Sequence, residues 1–567
     1  MFYVIDGRAM TETKKTLSER FRLIAAFLVV GIISLIQPGC NCSSSNDGTA
    51  PPATITTVLP ASSSATALVA TDVIAVFSID MDVTSVTTAF ILSINNSPVP
   101  ANVTYVVTTK TATLSPAADL APNTEYRATI ASSVKDIDGN SPLSTDFIWS
   151  FKTSPVMLLT SKNFNSVTSN NVSRNSDIDS SGRYIVFESE ATNLASVATT
   201  LNRQHIYLKD TVTGEVLLVS SDSSGLVEAN NQAGNPRISS NGRYVVFESA
   251  ADNLDGNSNS NNQIYLKDLS NNAVSLISRD TSGIPDNGAG GASNASVSND
   301  GRYVLFQSSD REMSAIDGGG IAHVYLKDMS NGTIVMISRT ATGFAGDAAS
   351  NNPDMSADGK HIVFESLAAN FTASNSFNHI YYVDATAATH SVEQISVATA
   401  GAEATANCNN PSISDDGAMV VYDTVAILDG FDTNGTTDIY FRYRPSQFTK
   451  LVSANPGTSD SGNGSSSNAD ISGDANYVVF ESLASDLVTE GSLGVKDIFV
   501  RDLSALPATV IDRVNNPESG GEATSDSDKP AISKDGRYVS FHSFAPYTLD
   551  DTDTLFDVFR AHNSTYP

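Results

Sequence analysis

Asn235-Pro236-Arg237-Ile238-Ser239-Ser240-Asn241-Gly242-Arg243-Tyr244-Val245-Val246-Phe247-Glu248-Ser249 is the stretch on which the fold turns. Asn-Gly between two apolar runs supplies the positive φ that a tight hairpin needs. In the second run both alternating sets are apolar: Tyr244 and Val246 on one face, Val245 and Phe247 on the other. A strand of that kind has to be covered on both sides. A polar loop follows, then Gln263-Ile264-Tyr265-Leu266-Lys267-Asp268, a short turn and Val274-Ser275-Leu276-Ile277-Ser278. The unit therefore has four strands.

Outward from this copy the same unit recurs seven times, with a period of about sixty residues. Its turn positions are Gly182, Gly242, Gly301, Gly359, Gly417, Ala475 and Gly536. A fixed period of this length marks a repeat architecture. Four-stranded sheets held between like neighbours make a β-propeller the economical solution. Two features favour a ring over an open stack. No copy carries the polar outer face that a terminal solenoid repeat requires. The seventh copy (Ala531-Ile532-Ser533, Arg537 to Phe541, Asp557-Val558-Phe559) has no fourth strand after it, whereas Val156-Met157-Leu158-Leu159-Thr160-Ser161 ahead of the first copy matches Ile334 to Ser338, Val392 to Ser396 and Lys450 to Ser453. Pairing the two ends removes the last free sheet edge. The fold class expected is all-β: an Ig-like β-sandwich followed by a seven-bladed propeller closed by an N-terminal strand.

The 567 residues carry Lys+Arg 33 against Asp+Glu 62, a net charge of −29 spread along the chain. Such a surface repels phosphate backbones and argues against nucleic acid as a partner. At the N-terminus, Lys14, Lys15, Arg20 and Arg22 precede the apolar run Leu23 to Ile36. Fourteen residues are short for a membrane span and suit a signal-peptide core. Met10 is an alternative start to Met1. Cys40, Cys42 and Cys408 are the only cysteines, and their spacing fits neither a disulfide framework nor a zinc site.

Gln37-Pro38-Gly39-Cys40 resembles a bacterial lipoprotein signal, although Gln37 departs from the aliphatic residue usual three places before the cysteine. The resemblance implies a signal peptide over 1–39, lipidation of Cys40 and a flexible tether over 40–50. Residues 51–154 alternate in short runs separated by turn clusters, the pattern of a β-sandwich. Val76-Phe77-Ser78, Met81-Asp82, Thr111 to Leu114, Leu120 to Tyr126, Asp136 to Asn140 and Phe151-Lys152-Thr153 resemble a bacterial Ig-like domain of surface proteins, which implies a spacer or adhesive unit. Ser298 to Phe306 with Val324-Tyr325-Leu326-Lys327-Asp328 resembles the TolB-like, WD-type propeller repeat, and the likeness covers 155–567. What it implies is fold, an envelope compartment and a bias toward binding. The longer period here departs from TolB itself, whose role is scaffolding at the outer membrane through protein contacts.

Several constellations are candidates for chemistry. Asp432, Asn434 and Asp438 offer oxygens at positions 1, 3 and 7 around a glycine turn and are candidate ligands of a structural calcium ion. Asp551, Asp553 and Asp557 repeat the register in the seventh copy, and Asp255 to Asn261 is a ragged variant. The other reading is that Asp and Asn cap these turns, as Asp136, Asp138 and Asn140 are expected to do in the sandwich. Asn175, Asn235, Asn294, Asn352, Asn410 and Asn468 open the innermost strands, with Lys529 in the seventh copy; they would ring one mouth of the channel, as a ligand-binding ring or to satisfy backbone groups. His205, His323 and His379, replaced by Asp438, Asp497 and Asp557 in the last copies, are expected to make local hairpin bonds, and Glu188, Glu248, Glu365 and Glu481 to pair between blades with the Arg-Tyr element. Gly-x-Ser-x-Gly, His-Glu-x-x-His and the Gly-x-x-x-x-Gly-Lys loop do not occur. The reading expected is a lipid-anchored envelope protein, at the outer membrane, whose propeller binds a protein or glycan without catalysis and without a cofactor other than structural calcium. The rival is a propeller-type polysaccharide lyase or other carbohydrate-active enzyme, for which the off-pattern His361 and His542 are the first residues to inspect.

Overall fold

A computed structural model describes residues 54–567 apart from 65–66, 68, 70, 123, 154–155, 198, 200–202, 256–259, 281, 373–375, 388–389, 490–493, 505–509, 518–522, 564 and 567. The expected signal segment and tether, with Cys40 and Cys42, and part of the loop Asp255 to Asn261 lie outside the described residues. Among the described residues no helix is long and apolar enough to cross a membrane.

Residues 54–153 form two four-stranded sheets. Ile55–Leu59, Val73–Phe77, Thr111–Pro116 and Ala101–Val106 make one; Ser97–Pro98, Phe90–Ile94, Glu125–Ile130 and Phe147–Lys152 make the other. Alternation drives them together. Val73, Ala75 and Phe77 on one strand and Tyr126, Ala128 and Ile130 on another point inward, and Trp149 packs on Phe90 and Phe147. Between the sheets runs a short helix, Val83–Ala89, which the β-like composition of its sequence conceals. Asp82 caps it by accepting a hydrogen bond from Ser85 N at 2.7 Å.

The repeat region folds into seven four-stranded antiparallel sheets among the described residues. The first is Ser173–Ile178, Tyr184–Ser189, His205–Asp210 and Val216–Leu218. In the last, Ser527–Ile532, Tyr538–Ser543 and Asp557–His562 receive Met157–Leu159 as their fourth strand, with Leu159 opposite Phe559 and Met157 opposite Ala561. First strands of adjacent sheets pack on one another all the way round, that of the seventh against that of the first, so the ring is closed. Each doubly apolar second strand is covered as its sequence demands. Val245 and Phe247 face the preceding blade, in one cluster with Val186, Ile206 and Leu208. Val246 faces the following blade, with Val304 and Phe306.

A second device locks blade to blade. In five blades the turn glycine lies against the ring of the preceding blade's tyrosine, and in the fifth Gly417 lies against His361: a Cβ on Gly242 would sit 2.5 Å from Tyr184 Cδ2. Gly242 also has a φ of +71°, so both space and conformation require glycine there. The sixth blade breaks the pattern with Ala475 at φ +61°. There the preceding blade carries Met419 in place of tyrosine, and the two side chains share one apolar cluster. A thin, flexible side chain leaves room for the extra methyl.

The sandwich is docked on the seventh blade. Val69 is buried among Ile178, Ile185, Tyr538 and Val558, and its N–H donates to the Tyr538 hydroxyl at 3.1 Å. Asp119 accepts from Arg537 Nε at 2.9 Å.

Candidate functional site

Every first strand carries a bulge, the same register slip seen between Arg174 and Asp177. The bulge residue is Asn175, Asn235, Asn294, Asn352, Asn410, Asn468 or Lys529, each with φ between +45° and +52°. Asparagine tolerates that left-handed conformation better than most side chains, which is one physical reason for its recurrence. Its amide supplies another. Asn175 Nδ2 donates to Glu188 of its own blade at 2.8 Å, while Asn235 N of the next blade donates to the same carboxylate at 2.7 Å. The pattern continues through Glu248, Gln307, Glu365, Asp423 and Glu481 to the backbone of Lys529. One acid thus ties two blades.

The structure therefore brings the six asparagines together as a girdle at one mouth of the channel, and each amide is engaged with a neighbouring side chain. The glutamates pair between blades as expected, but with asparagine and backbone instead of the Arg-Tyr element. The arginines of that element bond to an aspartate at the end of the third strand: Arg183 to Asp210, Arg243 to Asp268 and Arg302 to Asp328, each at 2.7–2.8 Å. His542 holds the glutamate position in the seventh blade, opposite Asp528 across the ladder. Burial, with Lys529, Arg174 and Lys496 nearby, pushes its imidazole down to about 3, so it is neutral at ordinary pH. His361 occupies the tyrosine position of the fourth blade, against Gly417, with Nδ1 2.7 Å from the Tyr382 hydroxyl. Both histidines that look off-pattern in sequence thus hold repeat positions, on different blades.

Two residues beyond each bulge the repeat diverges. These positions hold Asp177, Arg237, Ser296, Asp354, Ser412, Asp470 and Ala531. Asp177, Asp354 and Asp470 each accept a backbone N–H from the first strand of the next blade, at Ile238, Ile413 and Ile532 (2.8, 3.1 and 2.9 Å). The remaining oxygens of Asp177 and Asp354 face Arg237 from two sides at 3.8 and 3.7 Å. Burial lowers the affinity of that guanidinium for its proton, and Asp177, Asp354 and Asp470 outweigh it, so it stays charged. In the sequence this cluster leaves only one signal, a position two residues beyond the recurring asparagine that varies in charge.

The loops at the same mouth carry the clearest exposed pattern. The residue after each second strand is Glu190, Ala250 or Ser309 in blades one to three. In blades four to seven it is Leu367, Val425, Leu483 and Phe544, which are 47%, 46%, 43% and 44% exposed. Four consecutive blades thus present an apolar crescent beside the polar girdle. A surface cavity of about 300 Å³ opens between the fourth and fifth blades of the ring, lined by Phe377, Asn407, Asn409, Val425 and Thr437 among others.

The third strands begin at the same mouth, where the expected hairpin bonds are found. His205, His323 and His379 place Nδ1 3.2, 3.0 and 2.9 Å from Ser220, Ser338 and Ser396 Oγ. Asp438 and Asp557 take the equivalent bonds from Ser453 and Ser161 at 2.6 and 2.5 Å. Their loops hold the acidic residues singled out in sequence. Asp551, Asp553 and Asp557 converge, one carboxylate oxygen from each lying within 4.8 Å of the others. In the fifth blade Asp432 accepts from the Tyr440 hydroxyl at 2.6 Å and Asn434 Oδ1 accepts from Thr436 N at 2.6 Å. In the sandwich, Asp136 accepts from Asp138 N and Asn140 N at 3.0 and 2.8 Å, the turn expected there. Cys408 is buried in the fifth blade, which pushes its thiol up to about 12.

Comparison with known proteins adds the following. Residues 47–153 match the bacterial Ig-like domain family. No curated protein matches the chain. Among solved structures, TolB from Agrobacterium tumefaciens is 15% identical over 51% of this chain and 86% of its own, with a TM-score of 0.32. TolB from Acinetobacter baumannii is 13% identical over 68% and 81%, with a TM-score of 0.32. The β-propeller domain of the Trilobed protease from Pyrococcus furiosus is 11% identical over 69% and 95%, with a TM-score of 0.43. The chain thus joins a domain matching the bacterial Ig-like family to a propeller whose architecture rests on its own sheets.

Proposed function

We propose that this is an exported, lipid-anchored protein of the bacterial envelope, at the outer membrane, whose propeller binds a partner protein without catalysis. The observation that carries the reading is the apolar crescent Leu367, Val425, Leu483 and Phe544 on one mouth of the ring. Exposed apolar side chains grouped on one face mark protein interaction surfaces. Glu190 and Ser309, at the same place in the first and third blades, supply the polar rim that such surfaces have. Anchoring through Cys40 rests on the sequence of the signal segment, and the envelope compartment on the signal together with the Ig-like match. Against a lyase stands the placement of His361 and His542 on different blades, His361 bonded to Tyr382 and packed against Gly417, and His542 buried at a repeat position.

The test is capture from solubilised envelope by the intact protein and by a Leu367→Asp/Leu483→Asp variant. Sister blades carry Glu190 and Ser309 at these positions, so the fold accepts polar residues there. A saturable protein partner whose affinity falls at least tenfold in the variant supports the reading. Binding of a glycan that the variant leaves unchanged, or turnover of a polysaccharide, overturns it.

A further inference from the structure

Two loops at this mouth bury negative charge with no positive partner. In the seventh blade Asp551 is 7% exposed and Asp557 wholly buried. Asp557 Oδ1 accepts from Ser161 and Ser169 Oγ at 2.5 and 3.1 Å, but Asp557 Oδ2 and Asp551 Oδ1 have no hydrogen-bond partner. A buried carboxylate oxygen left in that state is costly. The fifth blade repeats the arrangement. Asp438 is wholly buried and Asp432 is 4% exposed; Asp438 Oδ2, Asp432 Oδ1 and the Thr436 hydroxyl all lack partners.

The other blades show what the position looks like when it is filled. His205 Nε2 lies 3.0 Å from Glu228, and His323 Nε2 lies 3.1 Å from Gly318 O. Gln263 Nε2 donates to Asp286 O at 2.8 Å. Asp497 receives Asn515 Nδ2 at 2.8 Å and lies 3.6 Å from Arg513. Only where the sequence reads Asp-x-Asp/Asn-x-x-x-Asp does the third-strand residue leave an oxygen unpaired. Both loops offer oxygen donors and neither nitrogen nor sulfur, the preference of calcium over zinc or copper.

We propose that Asp551, Asp553 and Asp557 bind one divalent cation of the calcium type, and that Asp432, Asn434 and Asp438 form a second copy of the site in the fifth blade. A cation between the carboxylates removes their mutual repulsion and supplies the missing partner of each orphan oxygen. Asn434 fits the role, because Oδ1 keeps a second lone pair beside the one that accepts Thr436 N. The sites lie in loops of the crescent blades, so cation loading fixes the edge of the surface described above; the proposal does not depend on what that surface binds.

The experiment is isothermal titration of the chelator-stripped intact protein with calcium chloride, alongside thermal unfolding with calcium or chelator. Two equivalents bind to the wild type, one to Asp557→Asn and to Asp438→Asn, and none to the double variant. Calcium raises the melting temperature of the wild type but not of the double variant. Neutral residues hold this position in four sister blades, so the variants are expected to fold, and melting in chelator verifies it. If a variant fails to fold, terbium emission sensitised by Tyr440, which touches Asp432, reports the fifth-blade site in the wild type. No saturable heat, no terbium signal at millimolar cation, or an unchanged stoichiometry in folded variants overturns the proposal.

Discussion

Truncating Leu159 to alanine tests the seam that joins the two ends of the ring. Leu159 is wholly buried opposite Phe559, in a cluster with Val479, Val500, Val539 and Phe541. Removing a fully buried leucine side chain costs about 3 kcal/mol, the transfer term plus the cavity left behind. Beyond its ladder with Phe559 to Ala561, the strand it belongs to is held to the seventh blade by Thr160 N to Val558 O at 2.7 Å, His562 N to Val156 O at 2.8 Å and Val558 N to Ser161 Oγ at 3.0 Å. Opening of this strand alone exposes the amides of Val558 and His562. Native-state hydrogen exchange reads such local openings. A loss of about 3 kcal/mol, at 1.4 kcal/mol per decade, accelerates exchange at these two amides about a hundredfold. The control is Leu276→Ala, the same truncation opposite Tyr265 inside the second blade. It should destabilise the protein comparably while leaving the seam amides slower to exchange than in Leu159→Ala. Exchange at Val558 and His562 that changes less than about threefold in Leu159→Ala refutes the shared sheet.

Two further outcomes follow from other contacts. Met419→Tyr drives a ring into the methyl of Ala475 and costs about 2 kcal/mol as overpacking; Ala475→Gly in the same chain restores the notch found in every other blade and recovers the loss. Urea unfolding of both variants checks this, and the absence of rescue contradicts it. Asp423 lies in the girdle, accepting Asn410 Nδ2 and Asn468 N at 2.9 and 3.3 Å, and burial pushes its carboxyl up to about 6 from 3.8. A raised folded value means that the native state keeps its proton while the unfolded chain loses it, so this group's contribution declines as pH rises from about 4 to about 6. Asp423→Asn, an amide like the Gln307 already present in the girdle, flattens that decline by an amount on the order of 2 kcal/mol. Identical pH profiles of unfolding free energy for the two proteins would falsify the assignment.

Periodicity made the sheets legible because each second strand is apolar on both faces and each turn glycine is forced by the ring behind it. Val245, Val246 and Phe247 announce their burial without any partner being known. The helix Val83–Ala89 was not legible, since Val-Thr-Ser-Val-Thr-Thr-Ala has strand-like composition and only the Asp82 cap gives it away. At the site, the asparagine ring was visible and its reason was not: the left-handed bulge is a property of pairing register, which a single strand does not carry. The Arg237 cluster is harder still. Asp177, Asp354 and Arg237 are far apart in sequence and meet only because the ring closes. The crescent is legible afterwards as Leu367, Val425, Leu483 and Phe544 in one column of the repeat, once the turn position fixes that column.

The seam also dictates an order of events. Residues 157–159 are made some four hundred positions before the strand they complement, so during synthesis this short hydrophobic strand has no lawful neighbour. Contacts of such sequence separation form slowly, because their loop must close first. The earlier blades can nucleate locally, each hairpin on its own, while the circle waits for its final turn. Any helper that shields a lone strand, or any passage through a pore that delays the last segment, therefore acts on this one junction and on no other.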